Sequence, residues 1–152
     1  MVLGIVDCFQ LEIPGVVVVT HASFSDDRGF FSETYNKRDF VAAKITDDFV
    51  QDNHSYSKDA GTIRGLHYQK APFAQAKLVR VVKGRIWDVA VDIRHGSATY
   101  GRWVGAEISA ENQRQIYIPA GFAHGFATLE PDTEVVYKVS NYYAPDHDAG
   151  IT

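Results

Sequence analysis

The stretch Lys77-Leu78-Val79-Arg80-Val81-Val82-Lys83-Gly84-Arg85-Ile86-Trp87-Asp88-Val89-Ala90-Val91-Asp92 decides the fold class. Two β-type runs flank Lys83-Gly84, a two-residue turn signal that opposes Val82 to Arg85 and predicts a hairpin. Side chains alternate across a strand, so Lys77, Val79 and Val81 share a face with Ile86, Asp88, Ala90 and Asp92. That face mixes a lysine and two aspartates with apolar groups. Leu78, Val82, Trp87, Val89 and Val91 make the other face largely apolar. A sheet polar on its concave side and apolar on its convex side suits a small barrel or jelly roll around a polar ligand.

The rest of the chain has the same texture, short β-type runs broken by Gly, Asp, Asn and Pro. Residues 11–20 read as a first strand, with Pro14-Gly15 as a turn or edge feature. Asp26, Asp27 and Gly29 break the chain before Phe30 to Tyr35. Residues 37–46 carry the only helical pattern, with Asn36 as its cap. From residue 50 onward strand follows strand. With no repeat, low-complexity segment or linker, the 152 residues read as a single all-β domain with one or two short helices.

Composition narrows the functional classes. Fifteen basic against nineteen acidic residues give a net charge of −4, which argues against nonspecific nucleic-acid binding. A few arginines converging in a cleft would still accept a small anion. Val16 to Val19 is the longest aliphatic run, far short of the roughly 20 residues that span a bilayer. The N-terminus carries no signal-peptide pattern, and the single Cys8 permits no intrachain disulfide. A cytoplasmic protein without a membrane partner is the expectation.

Four stretches place reactive groups where a plain β-core does not need them. These are Asp27-Arg28-Gly29-Phe30-Phe31-Ser32-Glu33, Gln51-Asp52-Asn53-His54-Ser55, Arg64-Gly65-Leu66-His67-Tyr68-Gln69 leading to Lys77, and Pro119-Ala120-Gly121-Phe122-Ala123-His124-Gly125-Phe126 followed by Tyr137. Singly, each has a plain structural explanation. Arg28 is then a solvated turn residue, His67 a hydrogen-bonded strand residue and Tyr137 an amphipathic β-residue. Gly121, Ala123 and Gly125 then merely permit close packing around Phe122 and Phe126. His21, His95 and His147 look like loop or surface residues. What favours a site is that these groups fall on strands of one barrel and can converge. Arg64 and His67 pose a puzzle, because their odd separation puts them on opposite faces of a regular strand. Either Gly65 introduces a bulge, or one of the two reaches the ligand from a strand end.

Pro119 to His124 resembles the second cupin motif, whose histidine often binds metal. Metal-binding cupins supply His-x-His and a glutamate in the first motif, where this chain has His67-Tyr68-Gln69. Two imidazoles and an amide make a poor divalent-metal set, so no metal is expected.

Taken together, in order along roughly residues 5–151, these stretches resemble the dTDP-4-dehydrorhamnose 3,5-epimerase family of nucleotide-sugar enzymes. The match also includes Lys77-Leu78-Val79-Arg80-Val81, Asp88-Val89-Ala90-Val91-Asp92 and Tyr142-Tyr143-Ala144-Pro145. The resemblance implies a cupin-type jelly roll, a homodimer, and neither metal nor organic cofactor. It implies epimerisation at carbons 3 and 5 of a nucleotide-linked 4-keto-6-deoxy sugar, where the carbonyl makes both hydrogens acidic and proton removal leaves an enolate. In that frame His67 matches the base and Tyr137 the proton donor, with Lys77 as oxyanion partner and His124 a neighbouring donor. Tyr143 matches a second tyrosine near the sugar. Arg28, Glu33, Gln51, Asn53 and Arg64 match positions that hold diphosphate, sugar and base. Members of the family continue into a C-terminal segment that supplies an aspartate to the catalytic histidine. This chain ends at Thr152, leaving Asp88 as the remote substitute within it. Two alternatives are a related cupin that moves the keto group between sugar positions, and a non-catalytic nucleotide-sugar-binding domain.

Overall fold

A computed structural model describes residues 4–152. Its strands are β1 (Ile5–Gln10), β2 (Val17–His21), β3 (Ser23–Asp26), β4 (Gly29–Ser32), β5 (Gln51–Ser57), β6 (Ile63–Gln69), β7 (Lys77–Lys83), β8 (Arg85–Asp92), β9 (Trp103–Ser109), β10 (Arg114–Ile118), β11 (Phe122–Thr128), β12 (Thr133–Val139) and β13 (Asp148–Gly150). They form a six-stranded sheet in the order β1-β2-β10-β7-β12-β5, a five-stranded sheet in the order β13-β6-β11-β8-β9, and a separate β3-β4 ribbon. All pairings are antiparallel. Two antiparallel sheets crossed by their connections make the jelly roll that the alternation predicts.

The run from Lys77 to Asp92 departs from the sequence reading in one respect. β7 pairs with β10 and β12, whereas β8 pairs with β11 and β9, so the two are not a hairpin. Gly84 instead turns the chain from one sheet to the other, with φ +87° and Thr133 packed where a Cβ would sit. The turn signal was sound, but a glycine turn does not say whether the strands it joins hydrogen-bond to each other or cross the sandwich. The face assignment stands, because both strands still turn the same residues inward. Lys77, Val79, Val81, Ile86, Asp88, Ala90 and Asp92 are all buried.

The main core lies between the sheets and includes Val79, Val81, Ile86, Ala90, Ile116, Phe122 and Val135. A second cluster covers the outer face of the larger sheet, where Val17, Val19, Leu78 and Tyr117 meet Phe40 and Ile45. Phe40 comes from the one α-helix among the described residues, α1 (Lys37–Ala42), which Asn36 caps by accepting from the Arg38 and Asp39 amides. The helix is shorter than residues 37–46 because Lys44 takes a left-handed φ of +68°. Likewise residues 11–16 are a connection between β1 and β2, closed by Leu11 N–H donating to the Val16 carbonyl. His21 is buried at the end of β2, its Nδ1 3.1 Å from Gln115 Nε2, and so is a core residue instead of a surface one.

Candidate active site

One end of the sandwich opens into a cleft of about 440 Å³, within the range of small-molecule sites. The six-stranded sheet supplies one wall through the inward faces of β5, β12 and β7. Val139 pairs with both Gln51 and Lys77, and Tyr137 with both Asn53 and Val79. Alternation therefore ranks Gln51, Val139 and Lys77 nearest the opening, then Asn53, Tyr137 and Val79, then Ser55, Val135 and Val81. Polar groups give way to aliphatic ones as the face runs into the core. The Lys77 ammonium lies 5.9 Å from the Tyr137 ring centroid.

The five-stranded sheet supplies the other wall through β6, β11 and β13. His67 pairs directly with His124, while Arg64 pairs with Phe126, so three steps on β6 match two on β11. That extra residue is the bulge that Gly65 makes, with φ +108°. It brings Arg64 and His67 to the same cleft despite their odd spacing. The Arg64 guanidinium is braced by the Ser57 hydroxyl at 3.0 Å and the Tyr56 carbonyl at 2.8 Å. Among the described residues it has no carboxylate partner, which leaves its charge available to an anion.

Eight of the sequence-predicted residues thus line one cleft: His67, Tyr137, Lys77, Gln51, Asn53, Arg64, His124 and Tyr143. Arg28 and Glu33 do not. Arg28 lies on the β3–β4 turn with its side chain 90% exposed and ion-paired to Asp26 at 2.6 Å. Glu33 accepts a hydrogen bond from the Asn36 amide at 3.2 Å. Asp88 is not the partner of His67: its Oδ2 meets His124 Nε2 at 2.7 Å. His67 is exposed to the cleft and makes no side-chain hydrogen bond among the described residues.

Two residues, Gln75 and Asp148, and the role of a third, Gln69, escaped the sequence reading. Gln69, which stands where a metal-binding cupin has its second histidine, is a clamp. Its amide donates to the Phe73 and Tyr142 carbonyls at 2.8 and 3.1 Å, and its oxygen accepts from Ala144 N–H at 2.9 Å. Tyr143 is thereby held at the cleft, with its own N–H donating to Gln51 Oε1 at 3.1 Å. Gln75 and Asp148 also line the cleft. Neither lies in a patterned stretch, and only β13 pairing with β6 brings Asp148 there. Among the described residues no three His, Cys, Asp or Glu side chains group as metal ligands.

Burial pushes the Lys77 pKa down, opposed by the charges of Asp88 and Asp148. Burial pushes the Asp88 carboxyl up, opposed by His124 and Lys77.

The fold is a cupin-type jelly roll, and its cleft gathers Lys77, Arg64, His67, His124 and Tyr137 from both sheets. The family model described as dTDP-4-dehydrorhamnose 3,5-epimerase matches residues 10–152. A Shigella flexneri protein of that name is 52% identical over 145 residues, covering 93% of this chain and 78% of its own. The Bacillus anthracis enzyme of the same name, solved with TDP and PPi bound, superposes at a TM-score of 0.92 with 49% identity, covering 99% of this chain and 84% of that one. The Legionella pneumophila dTDP-6-deoxy-D-glucose-3,5-epimerase, solved with dTDP-4-keto-L-rhamnose, gives 0.89 with 45% identity over 98% of this chain and 77% of that one. The chain belongs to the dTDP-4-dehydrorhamnose 3,5-epimerase family and is an isomerase of that type.

Proposed function

We propose that the chain inverts carbons 3 and 5 of a nucleotide-diphosphate 4-keto-6-deoxy sugar, converting dTDP-4-dehydro-6-deoxyglucose to dTDP-4-dehydrorhamnose without a cofactor. The observation that carries this reading is the convergence of an imidazole, a phenol and a buried ammonium on one cleft from two different sheets. His67 removes the proton next to the carbonyl, and Tyr137, from the other wall, returns one to the opposite face. Lys77 stabilises the enolate oxygen between the two steps. Arg64 holds the diphosphate, while Gln51, Asn53 and Tyr143 hold sugar and base.

The same reading makes the working unit a homodimer in which Arg28 and Glu33 serve the partner's cleft. Supporting it, β3 and β4 pair only with each other among the described residues, and Phe30 and Phe31 are 67% and 60% exposed beside Arg28. Exposed aromatics next to an arginine suit an interface. A charged diphosphate does not cross a bilayer unaided, so the enzyme belongs in the cytoplasm with its substrate.

The test is solvent-deuterium incorporation from D₂O into dTDP-4-dehydro-6-deoxyglucose, read by NMR. Exchange at both carbons is expected, and His67→Ala should slow it by about 10³-fold. Exchange at one carbon reduces the activity to mono-epimerisation. A relocated carbonyl makes the protein a keto-isomerase, and binding with no exchange a non-catalytic domain.

A further inference from the structure

Asp88 lies on the inward face of β8, paired with Phe126 of β11. It is 0% exposed. Its Oδ1 is buried with no hydrogen-bond partner among the described residues. Its Oδ2 meets Nε2 of His124, which is itself 5% exposed yet lines the cleft beside His67, its neighbour on the adjoining strand. One ring nitrogen of His124 is therefore taken, and Nδ1 is the one left for the cleft. As a packing element this carboxylate is a poor choice. Removing it from water costs several kcal/mol, and the orphan oxygen adds to that cost. Well-packed apolar groups in place of a buried ion pair are often neutral or stabilising.

We propose that Asp88 is a positioning residue for the reaction: through Nε2 it fixes the ring of His124 and keeps a hydrogen on Nδ1, offered to the cleft as a donor beside Lys77. The proposal rests on the epimerase reading of the cleft. Charged and titratable neighbours are Lys77 on β7, His67 on β6 and Asp148 on β13. Burial disfavours an unneutralised carboxylate at Asp88. On this proposal the Asp88–His124 couple carries one proton more than a carboxylate with a neutral imidazole, the state that burial of the Oδ2–Nε2 contact favours. That proton sits on the carboxyl oxygen or on Nε2, and in both arrangements Nδ1 bears a hydrogen. His124 lends this N–H to the oxygen on carbon 4 as charge develops there, and no proton leaves the ring. Together with the Lys77 ammonium it gives that oxygen two donors.

Two experiments test the idea. Long-range proton–nitrogen correlation of the histidine rings in the full chain near neutral pH needs no substrate and no variant. Nδ1 of His124 should carry a hydrogen; a bare Nδ1 overturns the proposal. In kinetics, Asp88→Leu should lower kcat for exchange by about 10²-fold with KM nearly unchanged, as for a lost oxyanion donor. A fall in thermal stability with kcat retained would assign Asp88 to structure alone and overturn it. In a His124→Ala background, Asp88→Leu should cost no further kcat, whereas multiplying losses would show that Asp88 does not act through His124. If the unsubstituted chain shows no exchange at all, the epimerase reading fails, and the ring-nitrogen result still stands as a separate reading.

Discussion

Lys77 holds a charge in a place that favours none. It is 9% exposed on the inward face of β7, and no carboxylate lies within ion-pair distance among the described residues. Desolvation lowers its pKa from the ordinary 10.5, and Asp88 and Asp148 recover only part of that. The proposed oxyanion role accounts for this, since such a group is kept desolvated and unpaired before the substrate arrives, at the expense of stability. Lys77→Met keeps the stem and removes the charge. We expect it to abolish exchange and to raise the stability from urea unfolding by about 1 kcal/mol near pH 7. In the wild type the charged lysine is penalised on folding below its depressed pKa, and the penalty fades as pH rises toward 10.5. The difference between the two proteins should therefore shrink as pH climbs through that window. A gap that stayed constant or widened would show that the lysine charge is not what the substitution relieves.

The bulge in β6 is where local sequence and site geometry meet. A Cβ on Gly65 would lie 2.6 Å from both the Gly125 Cα and the His124 carbonyl oxygen, and φ there is +108°. Gly125 is as constrained, since its own Cβ would meet the Arg64 carbonyl at 2.5 Å. Two glycines facing each other let β6 and β11 approach closely while β6 gains a residue, and that extra residue lets Arg64 and His67 both line the cleft. Gly65→Ala should destabilise the fold by about 2 kcal/mol and lower exchange activity more than stability alone explains. The check is kcat measured well below the melting temperature, where a purely global defect would leave the folded fraction fully active. Gly65 also marks the limit of what the chain reveals before folding. Period-2 alternation was enough to sort Gln51, Asn53 and Ser55 from their neighbours, and to turn Lys77 and Asp88 inward. It could not choose between a bulge and a strand end at Gly65, because both satisfy the same glycine. Nor could it tell that Gly84 crosses between sheets, since pairing partners are set by the whole topology. Asp148 and Gln69 were illegible for a related reason: their roles depend on β13 and on the Tyr142–Ala144 segment arriving from far along the chain.

The jelly roll leaves two sequence-predicted ligands, Arg28 and Glu33, outside the cleft that holds the other eight. The β3–β4 ribbon joins neither large sheet and leaves Phe30 and Phe31 exposed. Within a single copy this ribbon pairs with no other strand among the described residues and touches the body through the Ser32 hydroxyl, which donates to Gln113 Oε1 at 3.3 Å. A two-fold pair instead lets each ribbon meet the other copy's cleft, residue for residue. Complementation between inactive variants separates the two arrangements. On the proposed mechanism His67→Ala lacks the base and Arg28→Ala lacks a phosphate ligand, so each alone should exchange slowly. Suppose the two are mixed after reversible dissociation and Arg28 serves the partner's site. Every mixed dimer then holds one site with both His67 and Arg28 intact, and random pairing restores about a quarter of wild-type activity. If Arg28 serves its own chain, both sites of the mixed dimer stay defective and mixing restores nothing. Size measurement on the same samples must show dimers, because a monomeric protein that remained fully active would remove the shared site altogether. Recovery near a quarter would make the smallest catalytic unit two chains, with the ribbon carrying substrate recognition between them.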